Sequence, residues 1–111
     1  MNRRTFATVL VLGLAAIFPG AAFAEDHLAE AITHTKEAIE SGQKGRADEL
    51  TKHAEAALTH ATAAEKEKDN THTKEGITHL NAAIDHGKQG HPDIAAGHAK
   101  EALTHLEAAT K

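Results

Sequence analysis

Ten histidines dominate the chemistry that this 111-residue sequence could perform. They are His27, His34, His53, His60, His72, His79, His86, His91, His98 and His105. Within each of four segments, successive histidines are seven residues apart, so on an α-helix they fall on a single stripe. Neutral imidazole is a ligand for Cu(II), Ni(II) and Zn(II). The spacing therefore indicates a set of metal-binding sites on helices.

The helices that must position these histidines come from a tandem duplication. Residues 27–66 match residues 72–111 without a gap when the sequence is shifted by 45 positions. Each copy carries a Gly-x-x-Gly element, at 42–45 or 87–90, where glycine can adopt the left-handed conformation that ends a helix. Four helices are predicted, over residues 26–41, 46–67, 71–86 and 92–110. We expect an all-α fold, an antiparallel four-helix bundle made of two tandem helical hairpins.

Apolar residues recur at helical spacing and predict the faces that meet in this bundle. They are Leu28, Ile32, Ile39, Leu50, Ala54, Leu58, Ala61, Ile77, Leu80, Ile84, Ala99, Leu103 and Leu106. Heptad position a is assigned to Ile32, Leu58, Ile77 and Leu103. All ten histidines then stand at position c, more than a quarter-turn from the centre of the a/d seam. We expect their rings to lie on the flanks of the helices, accessible to water.

Mirror placement across each turn predicts that the histidines form pairs. In an antiparallel hairpin, residues whose numbers have a constant sum lie at one level, and the glycine turns set that sum at 87 and 177. The level pairs are His27/His60, His34/His53, His72/His105, His79/His98 and His86/His91. In the first copy Ser41 and Arg46 replace the fifth pair, so we expect fewer sites near that turn. If paired stripes face one groove, two imidazoles at a level begin a chelating site.

Glutamates are candidate supporting ligands for these pairs. Each of four glutamates stands one helical turn before a histidine: Glu30, Glu49, Glu75 and Glu101. Each could ligate an ion or orient an imidazole. The alternative is that they are solvated carboxylates paired with lysines.

The first 24 residues have the pattern of a cleaved Sec-type signal peptide. Arg3 and Arg4 precede the run FATVLVLGLAAIF, a Pro-Gly pair ends it, and Ala22 and Ala24 supply the small residues of a cleavage site. The run is shorter than the roughly 20 residues that a spanning helix needs. We expect export to the periplasm, a mature domain of residues 25–111 and no membrane association after cleavage.

The composition of this mature segment excludes several function classes. The protein has no cysteine, which rules out disulfides and thiolate ligands. Without Arg3 and Arg4, ten basic residues face sixteen acidic ones, a net charge of −6 that argues against nucleic acid as a partner. There is no Gly-x-Ser-x-Gly motif and no Glu-x-x-His motif of di-iron bundles. We expect a monomeric binding protein and no enzyme.

Imidazole and carboxylate donors without sulfur favour borderline divalent ions. The stability order puts Cu(II) first, with Ni(II), Zn(II) and Co(II) as further candidates. Because histidine must be neutral to ligate, we expect metal release as the pH falls through about 6.5. The alternative interpretation is a pH-responsive helical interaction protein, in which protonated histidine stripes repel one another and metal binding is incidental.

Residues 25–111 resemble the periplasmic small metal-binding proteins of nitrifying bacteria. The segments THTKEGITHL, IDHGKQGH and HAKEALTHL carry the resemblance, with heptad-spaced histidines, Gly-x-x-Gly turns and no aromatic residue or cysteine. It implies an exported four-helix bundle that binds several divalent ions, preferably copper, and buffers or sequesters copper outside the cytoplasm. Such a role would contribute to copper homeostasis or tolerance. Any metal-exchange partner stays unidentified.

Overall fold

A computed structural model describes residues 26–111, and these residues form four helices and no strand. The helices are α1 (His27–Gln43), α2 (Ala47–Glu67), α3 (Thr71–Lys88) and α4 (Pro92–Ala109). Each end lies within two residues of its predicted position, so the prediction of four helices is confirmed. The predicted signal peptide, residues 1–24, lies outside the described residues.

Short turns with a left-handed glycine join α1 to α2 and α3 to α4. Gly45 has a φ angle of +75° and Gly90 one of +80°, a region that residues with a side chain seldom adopt. Between the two hairpins, the side-chain oxygen of Asn70 accepts hydrogen bonds from the backbone N–H groups of His72 at 2.8 Å and Thr73 at 3.3 Å. Asn70 is therefore the N-cap that begins α3.

An exposed ion pair also links the two hairpins. Lys74 Nζ lies 2.6 Å from Asp69 Oδ1 and 3.6 Å from Glu65 Oε2. The hydrogen bond from Lys74 holds the pKa of Asp69 below its ordinary value, and the same contact raises the pKa of Lys74. Because both groups are exposed, water screens this pair and its contribution to stability is small.

The four helices pack as a bundle. Helix α1 contacts α2 and α4, helix α3 contacts the same two helices, and α2 also touches α4 across the bundle. Within residues 26–111, no helix is both long enough and apolar enough to cross a lipid bilayer.

The buried seam of the bundle consists mainly of alanine. Its members are Ala31, Ala38, Leu50, Ala54, Ala57, Ala61, Leu80, Ala83, Ile84, Ala95, Ala96, Ala99, Ala102 and Leu106. Most of these stand at positions d and g of the seven-residue register, whereas Ile32, Leu58 and Ile77 at position a are only partly buried. The centre of the seam is therefore rotated by about 60° from the predicted a/d seam. This rotation brings the histidines at position c within a quarter-turn of the core.

Glycine in the last turn of α1 allows a close approach between the two hairpins. A Cβ atom on Gly42 would lie 2.6 Å from Leu50 Cδ1 and 2.8 Å from Ala96 Cβ. Gly87 occupies the matching place in the second copy, where a Cβ atom would collide with Thr51 Oγ1. Both glycines are buried, so a side chain at either position would push the hairpins apart.

Candidate metal centre

The histidine rings of each hairpin lie together between its two helices. The ring centroids of the predicted pairs are 5.3 Å apart for His27/His60, 6.1 Å for His34/His53, 5.5 Å for His72/His105, 6.0 Å for His79/His98 and 6.0 Å for His86/His91. In both hairpins the residue number rises along one helix while that of the contacting histidine falls along the other. All ten predicted ligands therefore have a ring from the partner helix beside them.

A second set of contacts joins one level to the next, and the sequence pattern did not predict these contacts. These diagonal pairs are His34/His60, His79/His105 and His86/His98, with centroids 5.7, 5.6 and 5.3 Å apart and ring planes within 9° of parallel. The level and diagonal contacts together make one continuous row of rings in each hairpin. We call these rows the first ladder, with four histidines, and the second ladder, with six.

Most rings of the two ladders are half-buried. Eight of the ten histidines have intermediate exposure, and only His72 and His91, at the two ends of the second ladder, are exposed. The rotation of the alanine seam explains this partial burial, because it turns position c toward the neighbouring helix. An ion bound between the rings would thus be partly shielded from water, a setting that strengthens its electrostatic attraction to carboxylates.

Two level pairs place imidazole nitrogens at the separation that one metal ion requires. His27 Nδ1 lies 3.0 Å from His60 Nδ1, and His72 Nδ1 lies 3.3 Å from His105 Nδ1. Donors bonded at about 2.0–2.2 Å to one ion, at tetrahedral or square angles, are about 2.8–3.6 Å apart. Both pairs fall in this range. An ion could therefore bind with little movement of either ring.

Glu37 adds a carboxylate to the level pair at the end of the first ladder. Its Oε1 atom lies 3.2 Å from His34 Nδ1 and 3.2 Å from His53 Nδ1. Three donors from two helices thus converge at ligand-to-ligand distances. The sequence pattern did not indicate Glu37, because the repeated spacing involves only glutamates four residues before a histidine. The signal that could have found it is the His34-x-x-Glu37 spacing, which also places both side chains on one face of a helix.

Three further groups combine two histidines with one carboxylate, with donor atoms within 4.8 Å of one another. They are Glu30/His34/His60, Glu75/His79/His105 and His79/His98/Glu101. Two of the predicted glutamates, Glu30 and Glu75, lie beside the histidine one turn later. Glu101 instead approaches the opposite helix, where its Oε1 atom is 3.1 Å from His79 Nδ1.

Glu49, the remaining predicted glutamate, belongs to none of these groups of described residues. Its Oε1 atom lies 3.5 Å from Arg46 Nη1, an exposed ion pair on one helix. The interpretation of a solvated carboxylate therefore fits Glu49.

Each hairpin has a carboxylate beside one matching histidine pair, but the two copies supply it from different helices. Glu37 on α1 serves the first ladder, and the matching residue in the second copy is Ala82. Glu101 on α4 serves the second ladder, and its match in the first copy is Ala56. Each hairpin thus has a carboxylate at the level of His34/His53 or His79/His98. The first hairpin takes it from α1, whereas the second takes it from α4.

Unpartnered nitrogens add a further feature of metal sites. His86 Nδ1 and His98 Nδ1 are buried and have no hydrogen-bond partner among the described residues. His34 Nδ1 also lacks an aligned hydrogen bond despite its closeness to Glu37. A buried polar atom without a partner destabilises a fold by about 1–3 kcal/mol. Coordination to a cation would satisfy these lone pairs.

The first ladder ends at an open cleft. A cleft of about 250 Å³ lies beside His53, where Ser41 and Arg46 replace a histidine pair. The side chains that line it are Glu37, Glu40, Ser41, Lys44, Arg46, Glu49 and His53. In the second ladder His86 stands at the matching place and stacks on His98. The two hairpins therefore differ at the glycine-turn end.

Comparison with known proteins also points to metal binding. The family model described as "Small metal-binding protein" matches residues 2–109, nearly the whole chain. A search of curated proteins gives no significant match. The family match and the His/Glu groups independently indicate metal binding. The chain belongs to the small metal-binding protein family.

Proposed function

We propose that this protein binds several divalent transition-metal ions in the grooves of two antiparallel helical hairpins. The observation that carries the proposal is the convergence of Glu37 Oε1 on His34 Nδ1 and His53 Nδ1 at 3.2 Å each. Two neutral donors and one anion suit a divalent ion, since the carboxylate offsets part of its charge. The other three His/Glu groups extend the same chemistry along both ladders.

Cu(II) is the proposed preferred ion. The sequence has no cysteine, so the ligands are nitrogen and oxygen, and the stability order of divalent ions on such ligands peaks at Cu(II). Zn(II), Ni(II) and Co(II) should bind the same groups more weakly. The half-exposed position of the rings gives ions direct access from solvent.

The proposed role is the sequestration or buffering of copper outside the cytoplasm, without catalysis. The donor groups line helix flanks, where they can hold ions. Export is proposed from the pattern of residues 1–24. Mass spectrometry of the protein from a periplasmic extract should give a chain that begins at Glu25. A full-length chain in the cytoplasmic fraction would contradict export.

Metal titration tests the central proposal. Calorimetry and equilibrium dialysis with elemental analysis, at neutral pH, should give more than one Cu(II) ion per chain at micromolar affinity or better. Competition should place Zn(II), Ni(II) and Co(II) below Cu(II). Electron paramagnetic resonance of the Cu(II) form should show hyperfine coupling to nitrogen. One ion or none per chain at micromolar affinity would overturn the proposal.

Metal titration, together with acid titration of the metal-free protein, distinguishes the alternative function. A pH-responsive interaction protein is favoured by the packing of like rings, since neighbouring imidazolium ions would repel one another. In that case the helical circular dichroism signal would respond to acid in metal-free protein while no ion binds tightly at neutral pH. A protein that binds Cu(II) in several sites supports the metal-binding function instead.

A further inference from the structure

The glycine-turn ends of the two ladders offer different surroundings to a bound ion. In the second hairpin the group His79/His98/Glu101 is followed by His86, whose ring centroid lies 5.3 Å from that of His98. In the first hairpin no imidazole follows the group His34/Glu37/His53, because Ser41 and Arg46 occupy the matching positions. An ion held by that group would thus have no further imidazole on this side among the described residues.

A cleft lies where the first copy lacks the fifth histidine pair, and two of the donor residues border it. His53 and Glu37 form part of its lining, so an ion held by them would border the cleft. Its volume of about 250 Å³ is below the range of roughly 300–1,000 Å³ typical of sites for drug-sized ligands. The cleft therefore suits a molecule of amino-acid size.

Two cations line the cleft, and the second copy has neither of them at the matching positions. Lys44 matches Gln89, and Arg46 matches His91. Lys44 Nζ lies 3.3 Å from Glu40 Oε2, and Arg46 pairs with Glu49. The three carboxylates of the lining outnumber the two cations by one, and a divalent ion at His53 reverses this balance to a net charge of +1. The metal-loaded cleft would then attract a carboxylate.

We propose that an ion bound by His34, Glu37 and His53 takes a further ligand from outside the protein, a small amino-acid-type chelator whose amine and carboxylate enter this cleft. The step replaces coordinated solvent with the amine nitrogen and a carboxylate oxygen of the chelator, and the ammonium group of the free chelator releases one proton to solvent as its nitrogen binds. Lys44 and Arg46 stand where they can contact the carboxylate. The proposal rests on the proposed metal-binding function.

Nuclear magnetic resonance of the full chain loaded with Zn(II) tests this proposal, with glycine as the probe. Glycine should shift the backbone amide signals of residues 41–46 and leave those of residues 86–91 nearly unchanged. Acetate, which lacks the amine, and methylamine, which lacks the carboxylate, should each bind more weakly. Glycine added to metal-free protein should produce no shift at this turn.

Exchange of residues between the copies provides matched variants. The double substitution Ser41→His with Arg46→His should restore a histidine pair and weaken glycine binding about tenfold or more, because an imidazole then fills the free coordination position. The reciprocal double substitution His86→Ser with His91→Arg should create a glycine response at the second turn. This second variant copies the pair that occupies the matching positions of the first hairpin. Circular dichroism checks the helical content of both.

Each result has a separate meaning. Zn(II) binding without any glycine response at residues 41–46 overturns the chelator proposal and leaves the metal-binding function intact. Equal glycine responses at both turns of the unmodified chain also overturn it, because the open end would then have no special role. Failure of the unmodified chain to bind Zn(II) or Cu(II) contradicts the metal-binding function itself.

Discussion

At the scale of single residues, the carboxylates distinguish a binding site from a row of surface histidines. Glu37 approaches two imidazoles on different helices, and Glu101 approaches His79 across the second hairpin. These contacts join the two helices of a hairpin through charged oxygen. The imidazoles alone would leave the positive charge of a bound ion without an anionic ligand.

The first prediction concerns Glu37. Replacement by Gln removes the anionic ligand but keeps the size of the side chain, so the Cu(II) affinity of the first hairpin should fall by about 10- to 100-fold. Competition with a chelator of known affinity measures the change. The control is Glu55→Gln, because Glu55 lies 3.7 Å from Lys88 and belongs to none of the donor groups of the described residues. Equal losses in both variants would argue against ligation by Glu37.

The sequence predicted which histidine rings lie together and at what levels, but not every neighbouring carboxylate. Seven-residue spacing and the glycine turns were sufficient to pair the ten histidines, because both features depend only on helix periodicity. The association of Glu101 with His79 and His98, in contrast, depends on how far α3 and α4 rotate toward each other. Sequence spacing along one helix contains no information about that rotation.

At the scale of helices, their rotation explains the diagonal contacts. The predicted seam consisted of positions a and d, whereas the structure buries mainly positions d and g, most of them alanine. Small side chains permit the closest approach of two backbones, so they take the centre of the contact. The larger position-a residues cover its edge. The number of helices and their ends followed from local signals, while the orientation of each helix required the full packing.

The second prediction compares two glycines in helices. Gly42→Ala should destabilise the fold by about 1–3 kcal/mol, because the new methyl group would press against Leu50 and Ala96. Gly97→Ala should stabilise it by up to about 1 kcal/mol, since nothing lies within 4 Å of a Cβ atom there and alanine favours the helix. Urea unfolding followed by circular dichroism measures both. The same sign in both variants would contradict the close approach at Gly42.

At the scale of the whole molecule, the duplication gives two hairpins that carry different numbers of histidines. The second ladder has six histidines and two exposed ends, while the first has four and a cleft. The two hairpins share a single buried seam, so a change in one can affect the packing of the other. Because the core contains few large side chains, ions that bind only the folded chain should contribute visibly to its stability.

The third prediction follows from this linkage. Cu(II) or Zn(II) at a free concentration of 100 times the dissociation constant should stabilise the fold by about 2.7 kcal/mol for each occupied site. Thermal unfolding, monitored by circular dichroism, should therefore shift to higher temperature with metal and return to its starting value after addition of EDTA. Magnesium serves as the control, since it prefers oxygen ligands. An unchanged midpoint with Cu(II) would show that ions do not bind the folded state preferentially.

The alanine seam also sets the width of the grooves that hold the ladders. Helix axes separate as the side chains between them grow, over a range of about 8–10 Å. The buried methyl groups of Ala54 and Ala57 permit a close approach of α1 and α2, whose histidine rings lie 5.3 and 6.1 Å apart at two levels. Residues that never touch a metal ion would thereby help to determine how tightly it is held.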